Sequence, residues 1–300
     1  MPKIATFYDH IVDVSRQESC SVVDALKLAR ELGVEAVEAS ANNLVGREDE
    51  MGQELAMADL SISSVPSYFD FGRDFDVERQ ALPILEAAQY LGADRLLVIP
   101  GFFQEGDSPE EREAQLEGMV EGVNRLADLA AGYGLSLVME EYDSEAAPFS
   151  SAAGMRYFLD RCPGLACAFD TGNFRFAGED LLEAYDLLRD RVAHVHLKDR
   201  SFVQRNGEGP KVAMDGTPLY PCPVGGGDLP VAEVVSRLKR DGYGIGLSLV
   251  APAATLAYSG GDFCLARPRA ACPLLTGNMR TGRIGNDFLY GYCFFAIHLL

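Results

Sequence analysis

Polar side chains with metal-binding chemistry stand at the ends of three consecutive apolar runs in the middle of the chain. The first run ends in Glu140 and Glu141, the second ends in Asp170, and the third contains His194 and His196. Side chains alternate along an extended strand, so the two histidines share one face. Histidines on the inner face of a buried strand are costly unless they have partners. The residue types therefore predict a common polar site.

One imidazole together with carboxylates from neighbouring strands makes a mixed nitrogen and oxygen ligand set. Such a set suits a borderline or hard divalent ion (Mn²⁺, Mg²⁺, Co²⁺ or Zn²⁺) better than an ion that prefers thiolates. The competing interpretation is that these residues have only a structural role. A buried histidine and an aspartate often do no more than satisfy each other's hydrogen-bonding groups in the core. Three such strand ends in succession favour the metal-binding interpretation.

Short apolar runs alternate with longer segments of helical period along the first 250 residues. Eight strand-then-helix units over about 250 residues predict an α/β fold, a (β/α)₈ TIM barrel with an atypical C-terminal segment in place of a regular last helix. A doubly wound open sheet is the rival, but it usually carries a glycine-rich turn after its first strand. No glycine follows Tyr8 in the segment DHIVDVSRQES. The predicted strands cover residues 3–8, 34–39, 60–65, 95–99, 135–139, 165–169, 192–197 and 245–249.

The last fifty residues do not follow the pattern of the rest. Residues 251–300 hold two acids, four arginines and no lysine, whereas the first 250 residues hold 43 acids and 22 bases. We therefore divide the chain into a barrel domain at 1–249 and an atypical tail at 250–300. The tail is either a divergent extension or the result of a frameshift, and the sequence leaves both open.

Composition and charge disfavour several classes of protein. The formal net charge is −19, so the chain lacks the basic footprint of a nucleic-acid binder and is repelled by anionic membrane surfaces. No apolar run reaches the length of a bilayer span, and the N-terminus lacks the pattern of a signal peptide. The seven cysteines include no C-x-x-C pair. Together these features predict a reduced cytoplasmic protein without nucleic-acid or membrane partners.

Four short motifs follow one another at barrel spacing. They are M-E-E-Y-D at 139–143, F-D-T-G-N-F at 169–174, H-V-H-L-K-D at 194–199 and P-V-G-G-G-D-L-P at 223–230. Taken together, they resemble the xylose isomerase-like TIM barrel superfamily, in its sugar phosphate isomerase/epimerase branch. The resemblance covers roughly residues 1–249.

The resemblance implies one divalent metal ion, bound by the fifth-strand Glu, the sixth-strand Asp and the seventh-strand His. By position these ligands are Glu140, Asp170 and His196, and Glu140 is also the candidate catalytic base. His194 and Asn173 match positions that line the site, and Lys198 matches a polar position beside it, so all three are candidate substrate-binding residues.

Two details qualify the assignment of these ligands. Glu140, rather than Glu141, falls six residues after Gly134, which is the usual spacing in the family. The family also has a fourth ligand, a Glu that closes the eighth strand, and here that position holds Val250. Valine can neither ligate a metal nor take a proton, so we expect this chain to have little isomerase activity.

A run of three glycines follows the seventh strand. Barrels often bind phosphate at this place through backbone N–H groups, which makes Gly225 and Gly226 candidate substrate-binding residues. A flexible turn between Pro223 and Pro230 is an equally good interpretation.

These features predict a divalent-metal-dependent isomerase or epimerase that converts a small keto-sugar or sugar phosphate through an enediolate. The metal would hold adjacent carbonyl and hydroxyl oxygens, and a carboxylate would remove the proton next to the carbonyl. The sequence leaves open the sugar, the metal, the choice between isomerisation and epimerisation, and the oligomeric state. A homo-oligomer is compatible with the sequence.

Two other functions compete with this prediction. A non-catalytic barrel would bind a metal or a sugar-like ligand without turnover, and Val250 and the tail favour it. An AP endonuclease of the same superfamily is disfavoured, because its histidine-rich multi-metal centre does not fit a chain with four histidines and a strongly acidic barrel.

Overall fold

The computed structural model describes residues 3–204, 207, 209–243 and 247–249. Val250 and the rest of the tail lie outside these residues. In chain order the strands are β1 (Ile4–Phe7), β2 (Ala36–Glu38), β3 (Ser61–Tyr68), β4 (Arg95–Ile99), β5 (Ser136–Glu140), β6 (Leu165–Asp170), β7 (Val192–Leu197), β8 (Asp199–Ser201), β9 (Lys211–Val212), β10 (Pro218–Cys222) and β11 (Leu247–Leu249).

Eight of these strands, β1 to β7 and β11, form a closed and fully parallel barrel. Each strand from β1 to β6 pairs with the next strand in the chain, and β11 closes the ring between β7 and β1. The (β/α)₈ TIM barrel predicted from the sequence is confirmed for the described part of the chain. The eighth predicted strand is present at 247–249, and its first two residues lie outside the described residues.

The helices follow the strands around the outside of the barrel. They are α1 (Tyr8–Glu18), α2 (Val22–Glu31), α3 (Ala41–Leu44), α4 (Glu48–Ala58), α5 (Val77–Tyr90), α6 (Pro109–Gly132), α7 (Ala152–Arg161), α8 (Leu181–Leu188) and α9 (Val231–Arg240), with 3₁₀ turns at Phe174–Ala177 and Arg189–Arg191. The capping residues explain several of their starts. Ser108 accepts the N–H of Glu111 while the Glu111 carboxylate accepts the N–H of Ser108, so α6 begins at Pro109 with a complete capping box.

The sequence analysis predicted a first strand at residues 3–8 and no separate helix directly after it, where the structure has α1. It begins at Tyr8, directly after β1, and it buries Tyr8, Ile11 and Val14. These apolar positions recur every three residues, which is compatible with one face of a helix. The polar and charged residues between them, together with the lack of a capping side chain at Phe7, hide the start of the helix.

A second element outside the prediction is a small three-stranded antiparallel sheet in the order β8–β10–β9. It leaves the barrel directly after β7, at the edge where the strands end. Its strands bring Arg200 and Lys211 to the same side of the barrel as the polar strand ends. This placement matters for the site described below.

Two further observations bear on the environment expected from the sequence. The four cysteines among the described residues (Cys20, Cys162, Cys167 and Cys222) are free thiols. In the described part of the chain, none of the helices combines the length and apolar character that crossing a bilayer requires.

Helix α6 packs closely against the loop after β3 because it presents glycine to an aromatic ring. A Cβ atom added at Gly122 would lie 2.4 Å from Cγ of the buried Phe71, whereas one added at Gly132 of the same helix would meet nothing within 4 Å. The absence of a side chain at Gly122 therefore lets the ring of Phe71 lie against the helix backbone.

We expect Gly122→Ala to destabilise the protein although alanine is the better helix former. Alanine gains about 1 kcal/mol in helix propensity, but forcing a methyl group into this contact costs roughly 1–3 kcal/mol. Gly132→Ala is the matched control and should leave the free energy of unfolding unchanged or raise it by up to about 1 kcal/mol. Urea denaturation of both variants measures this, and equal effects would contradict the packing argument.

Candidate active site

The strand register brings the predicted ligands together at one edge of the barrel. Asp170 on β6 is paired with His196 on β7, and Glu140 on β5 is paired with Ala168 on β6. Since all barrel strands are parallel, their C-terminal ends meet at one mouth, where TIM barrels carry their active sites. One ligand atom from each of Glu140, Asp170 and His196 lies within 4.8 Å of the other two.

His196 lies between two carboxylates. Its Nδ1 is 2.8 Å from Oε1 of Glu140, and its Nε2 is 3.3 Å from both carboxylate oxygens of Glu38. The edge of the Phe7 ring packs against the imidazole. Both ring nitrogens face acceptors, so in this arrangement both carry a proton and the ring is an imidazolium.

The electrostatics of His196 agree with that protonation state. Burial by itself lowers the pKa of His196, but the charges of Glu140 and Glu38 outweigh burial and hold its pKa well above the usual range. For Glu38, burial raises the pKa, but the charge of His196 and the hydrogen bonds from both histidines overcome burial and hold the pKa well below the usual range. The buried charges therefore stabilise one another.

His194 is neutral in the same environment, because its two nitrogens have different partners. Nε2 donates to Oε1 of Glu38 at 2.8 Å, and Nδ1 accepts from Nη1 of Arg95 at 3.4 Å. Burial lowers the pKa of His194, with Glu38 only partly opposing that effect. The two histidines of the H-V-H motif thus share Glu38 while differing in charge.

Glu38 is a residue of this site that the sequence analysis did not place among the metal ligands or the substrate-binding residues. It ends β2 at the barrel mouth, and its carboxylate contacts both histidines. Glu38, His194 and His196 also satisfy the spacing of a metal-binding group. All three side chains are almost completely enclosed, however, and their polar atoms already pair with one another. The contacts of this second group hold His196 in place, and its enclosure keeps a substrate from reaching it.

Glu140 is the accessible member of the carboxylate pair. Its side chain is 16% exposed, whereas Asp170 is buried. Burial raises the pKa of Glu140 to about 7, with His196 opposing and Asp170 adding to the shift. A carboxyl group with this pKa is poised to gain or lose a proton near neutral pH.

Glu141 is fully buried next to Glu140, and neither of its carboxylate oxygens has a hydrogen-bond partner among the described residues. Burial raises the pKa of Glu141 well above the usual range, and the charges of Asp170 and Glu140 add to that effect. Glu141 is therefore held neutral beside the site, and the structure leaves Glu140 as the ionisable acid at the opening.

A turn after β6 fixes Asp170 and aims the side chain of Asn173. Oδ1 of Asp170 accepts the N–H groups of Gly172 at 2.6 Å and Asn173 at 3.0 Å. The Asn173 amide donates to Oε1 of Glu140 at 3.4 Å and accepts from Nζ of Lys198 at 2.6 Å. The sequence placed three residues beside the ligands: Asn173, Lys198 and His194. In the structure each of them either contacts the ligand group or is separated from it by one residue.

The glycine run has a different set of partners. The N–H groups of Gly225 and Gly227 donate to Oδ2 of Asp199, and that of Gly226 donates to the carbonyl of Pro223. These amides hold the buried Asp199 in place in this structure. Phosphate binding at Gly225 and Gly226 stays a prediction.

Solved structures share this fold over most of the chain. A D-allulose 3-epimerase from Methylomonas sp. superposes with a TM-score of 0.67 at 15% identity, covering 100% of this chain and 98% of that one. A 3-keto-D-glucoside 4-epimerase from E. coli superposes with a TM-score of 0.60 at 18% identity, covering 84% of this chain and 92% of that one. At these identities the likeness shows the fold.

Sequence comparison adds a curated relative and a family. An inosose dehydratase from Geobacillus thermodenitrificans (strain NG80-2) is 28% identical over 131 residues, which span 44% of this chain and 43% of the relative's length. The family described as xylose isomerase-like TIM barrel matches residues 26–262. This match covers most of the chain, including every residue of the Glu38, Glu140, Asp170, His194 and His196 group. The chain belongs to the xylose isomerase-like TIM barrel family.

Proposed function

We propose that this chain is a divalent-metal-dependent isomerase or epimerase of a small keto-sugar or sugar phosphate. The observation that carries the proposal is the convergence of Glu140, Asp170 and His196 at the barrel mouth, with Glu140 reachable from solvent and titrating near neutral pH. The epimerases that share the fold, and the family itself, support the reaction class.

The residues present fit a divalent metal ion. Two carboxylates and an imidazole nitrogen lie within ligand spacing, and such a hard or borderline set suits Mn²⁺, Mg²⁺, Co²⁺ or Zn²⁺. Glu140, Asp170 and His196 would hold the ion through a carboxylate oxygen each and Nδ1. A bound divalent ion would polarise the substrate carbonyl and favour loss of the neighbouring proton.

Other residues of the chain prepare these groups for that chemistry. Glu38 holds Nε2 of His196, so that Nδ1 is the nitrogen facing Glu140. A carboxylate partner of this kind fixes the orientation of a ligating histidine. Asn173 holds Glu140, and Glu140 is the base that takes the proton from the carbon next to the carbonyl. A second acid or base on the opposite face is expected at position 250, where this chain has Val250.

A dehydration is the second candidate function, and the curated relative favours it. Inosose dehydratase, by its name, removes water from inosose. Such a reaction takes a proton from the carbon next to a carbonyl and expels a hydroxyl group from the following carbon, so a double bond forms. It needs a base on only one face of the substrate, which a chain with Glu140 and Val250 still provides.

We expect His196→Ala to weaken Mn²⁺ binding far more than His194→Ala does. His196 offers Nδ1 to the ligand group, whereas His194 is a neighbour that contacts Glu38 and the ring of His196. Loss of an indirect partner costs roughly 10- to 100-fold in metal affinity, and loss of the ligand itself should exceed that. Calorimetric titration of the full chain and both variants with Mn²⁺ measures the difference. Equal losses would refute the assignment of His196 as the ligand.

The affinity for Mn²⁺ should rise with pH between 6 and 8. The pKa of Glu140 is raised to about 7 and that of His196 is raised well above its usual range, so a metal must displace protons that these groups otherwise keep. Each displaced proton changes the affinity by about tenfold per pH unit below its pKa. Titration in two buffers of different ionisation enthalpy counts the protons released, and an affinity independent of pH would contradict this account.

Solvent-deuterium incorporation into a panel of keto-sugars tests the proposed reaction. We expect slow exchange by the unmodified chain, because Val250 replaces the second acid or base, and Glu140→Gln should lower that exchange by a further 10²–10⁴-fold. Glu141→Gln is the matched control, since Glu141 is already neutral, and it should keep the exchange.

The outcomes of this assay separate the candidate functions. Equal exchange by the chain and by Glu140→Gln would overturn the role of Glu140. Mn²⁺ binding without any exchange favours the non-catalytic barrel. A product lighter by one water molecule identifies the dehydration, and fast epimerisation by the unmodified chain would show that Val250 does not impair it.

A further inference from the structure

Three cations converge on a single carboxylate next to the candidate active site. Oxygens of Asp143 lie 3.9 Å from Nζ of Lys198, 3.3 Å from Nη2 of Arg200 and 2.9 Å from Nζ of Lys211. Asp143 follows β5 three residues after Glu140, and the cations come from the segment after β7 and from the small sheet. We refer to Lys198, Arg200 and Lys211 as the cation cluster.

The cation cluster carries more positive charge than its protein partner neutralises. Within the described part of the chain, every ion pair shown by these three cations is made with Asp143. The cluster therefore has two positive charges in excess, in a chain whose formal net charge is −19. A concentration of like charge of this kind is costly unless an anion relieves it.

Arg200 shows the deficit most directly. The residue is only 7% exposed, and its Nε is buried without a hydrogen-bond partner among the described residues. A buried N–H donor of a guanidinium group normally has an acceptor, because a buried donor without a hydrogen bond costs free energy. A carboxylate or phosphate oxygen is the acceptor that matches the fork of N–H donors on arginine.

Lys198 connects the cation cluster to the candidate active site. Its aliphatic chain lies against Gly172, where an added Cβ atom would come within 2.7 Å of Cγ of Lys198. Its ammonium group donates to Asn173, and the same Asn173 amide donates to Glu140. A molecule with oxygens at Glu140 thus meets the cation cluster one side chain further along the barrel mouth.

We propose that the cation cluster binds an anionic group of the substrate, a carboxylate or a phosphate, and that Asp143 neutralises the cluster when no substrate is bound. The position of the rest of the substrate rests on the proposed function, whereas the anion site itself stands on the charges and contacts of these four residues. Lys211, with a side chain 39% exposed, gives the anion a route from solvent.

Binding of simple anions to the metal-free full chain tests the proposal apart from the proposed function. Inorganic phosphate and acetate are titrated separately by calorimetry at fixed ionic strength in chloride, so that screening stays constant. Lys211→Met should weaken the binding of the preferred anion by about fivefold or more, since a charge-assisted hydrogen bond is lost. The matched control is Lys3→Met, which also removes a half-exposed lysine paired with one aspartate and should change nothing.

Asp143→Asn distinguishes an anion-binding site from a salt bridge that only stabilises the fold. Removing the internal carboxylate should tighten binding of the anion by about fivefold, because the site then has no competing negative charge. Preference for phosphate indicates a sugar phosphate as the source of the anion, and preference for acetate indicates a sugar acid.

The proposal is overturned if neither anion binds, or if Lys211→Met and Asp143→Asn both bind like the unmodified chain. Failure of the proposed function looks different, because it removes Mn²⁺ binding or proton exchange while leaving anion binding dependent on Lys211.

Discussion

The site depends on one buried cation that is shared by two carboxylates. His196 lies inside the barrel with Glu38 on one nitrogen and Glu140 on the other. Of these three side chains, His196 and Glu38 are enclosed, and Glu140 is partly exposed to water. Charges in a low-dielectric interior are tolerated only when they pair closely. Removing His196 would leave two carboxylates without the cation between them, and removing either carboxylate would leave one ring nitrogen without its acceptor, so the orientation of all three side chains is tightly coupled.

That coupling explains why the two ends of His196 have different roles. Glu38 is enclosed and also bound to His194, so it serves as a fixed support. Glu140 is partly exposed and has a pKa raised to about 7, so its carboxyl group can gain or lose a proton near neutral pH. The inner side of the site is therefore held by buried hydrogen bonds, and its outer side carries a carboxyl group that can change its protonation state; the proposed function requires such a preorganised arrangement.

Much of this arrangement follows from the sequence alone, and the reasons are local. Strand ends that carry Glu, Asp and His after apolar runs predict the ligand group, because alternation along a strand and the shared mouth of a parallel barrel place these residues together. The strands at 95–99 and 192–197 match their predicted bounds. In contrast, the contacts of Glu38 and the pairing of Asp143 with Arg200 join segments far apart in the chain. They depend on closure of the barrel and on the small sheet after β7, which no local period reveals.

The amide of Asn173 divides the barrel mouth into two halves of opposite charge. Its N–H₂ end faces Glu140, and its carbonyl end faces Lys198, so the dipole of one side chain points from the acidic half to the basic half. An amide turned the other way would set a donor against an ammonium group and an acceptor against a carboxylate, and both contacts would be unfavourable. The acidic half suits a cation, and the basic half suits an anion. Under the proposed function, a substrate with its carbonyl in the acidic half and an anionic group in the basic half would bind in one direction, which would place the same carbon next to Glu140 each time.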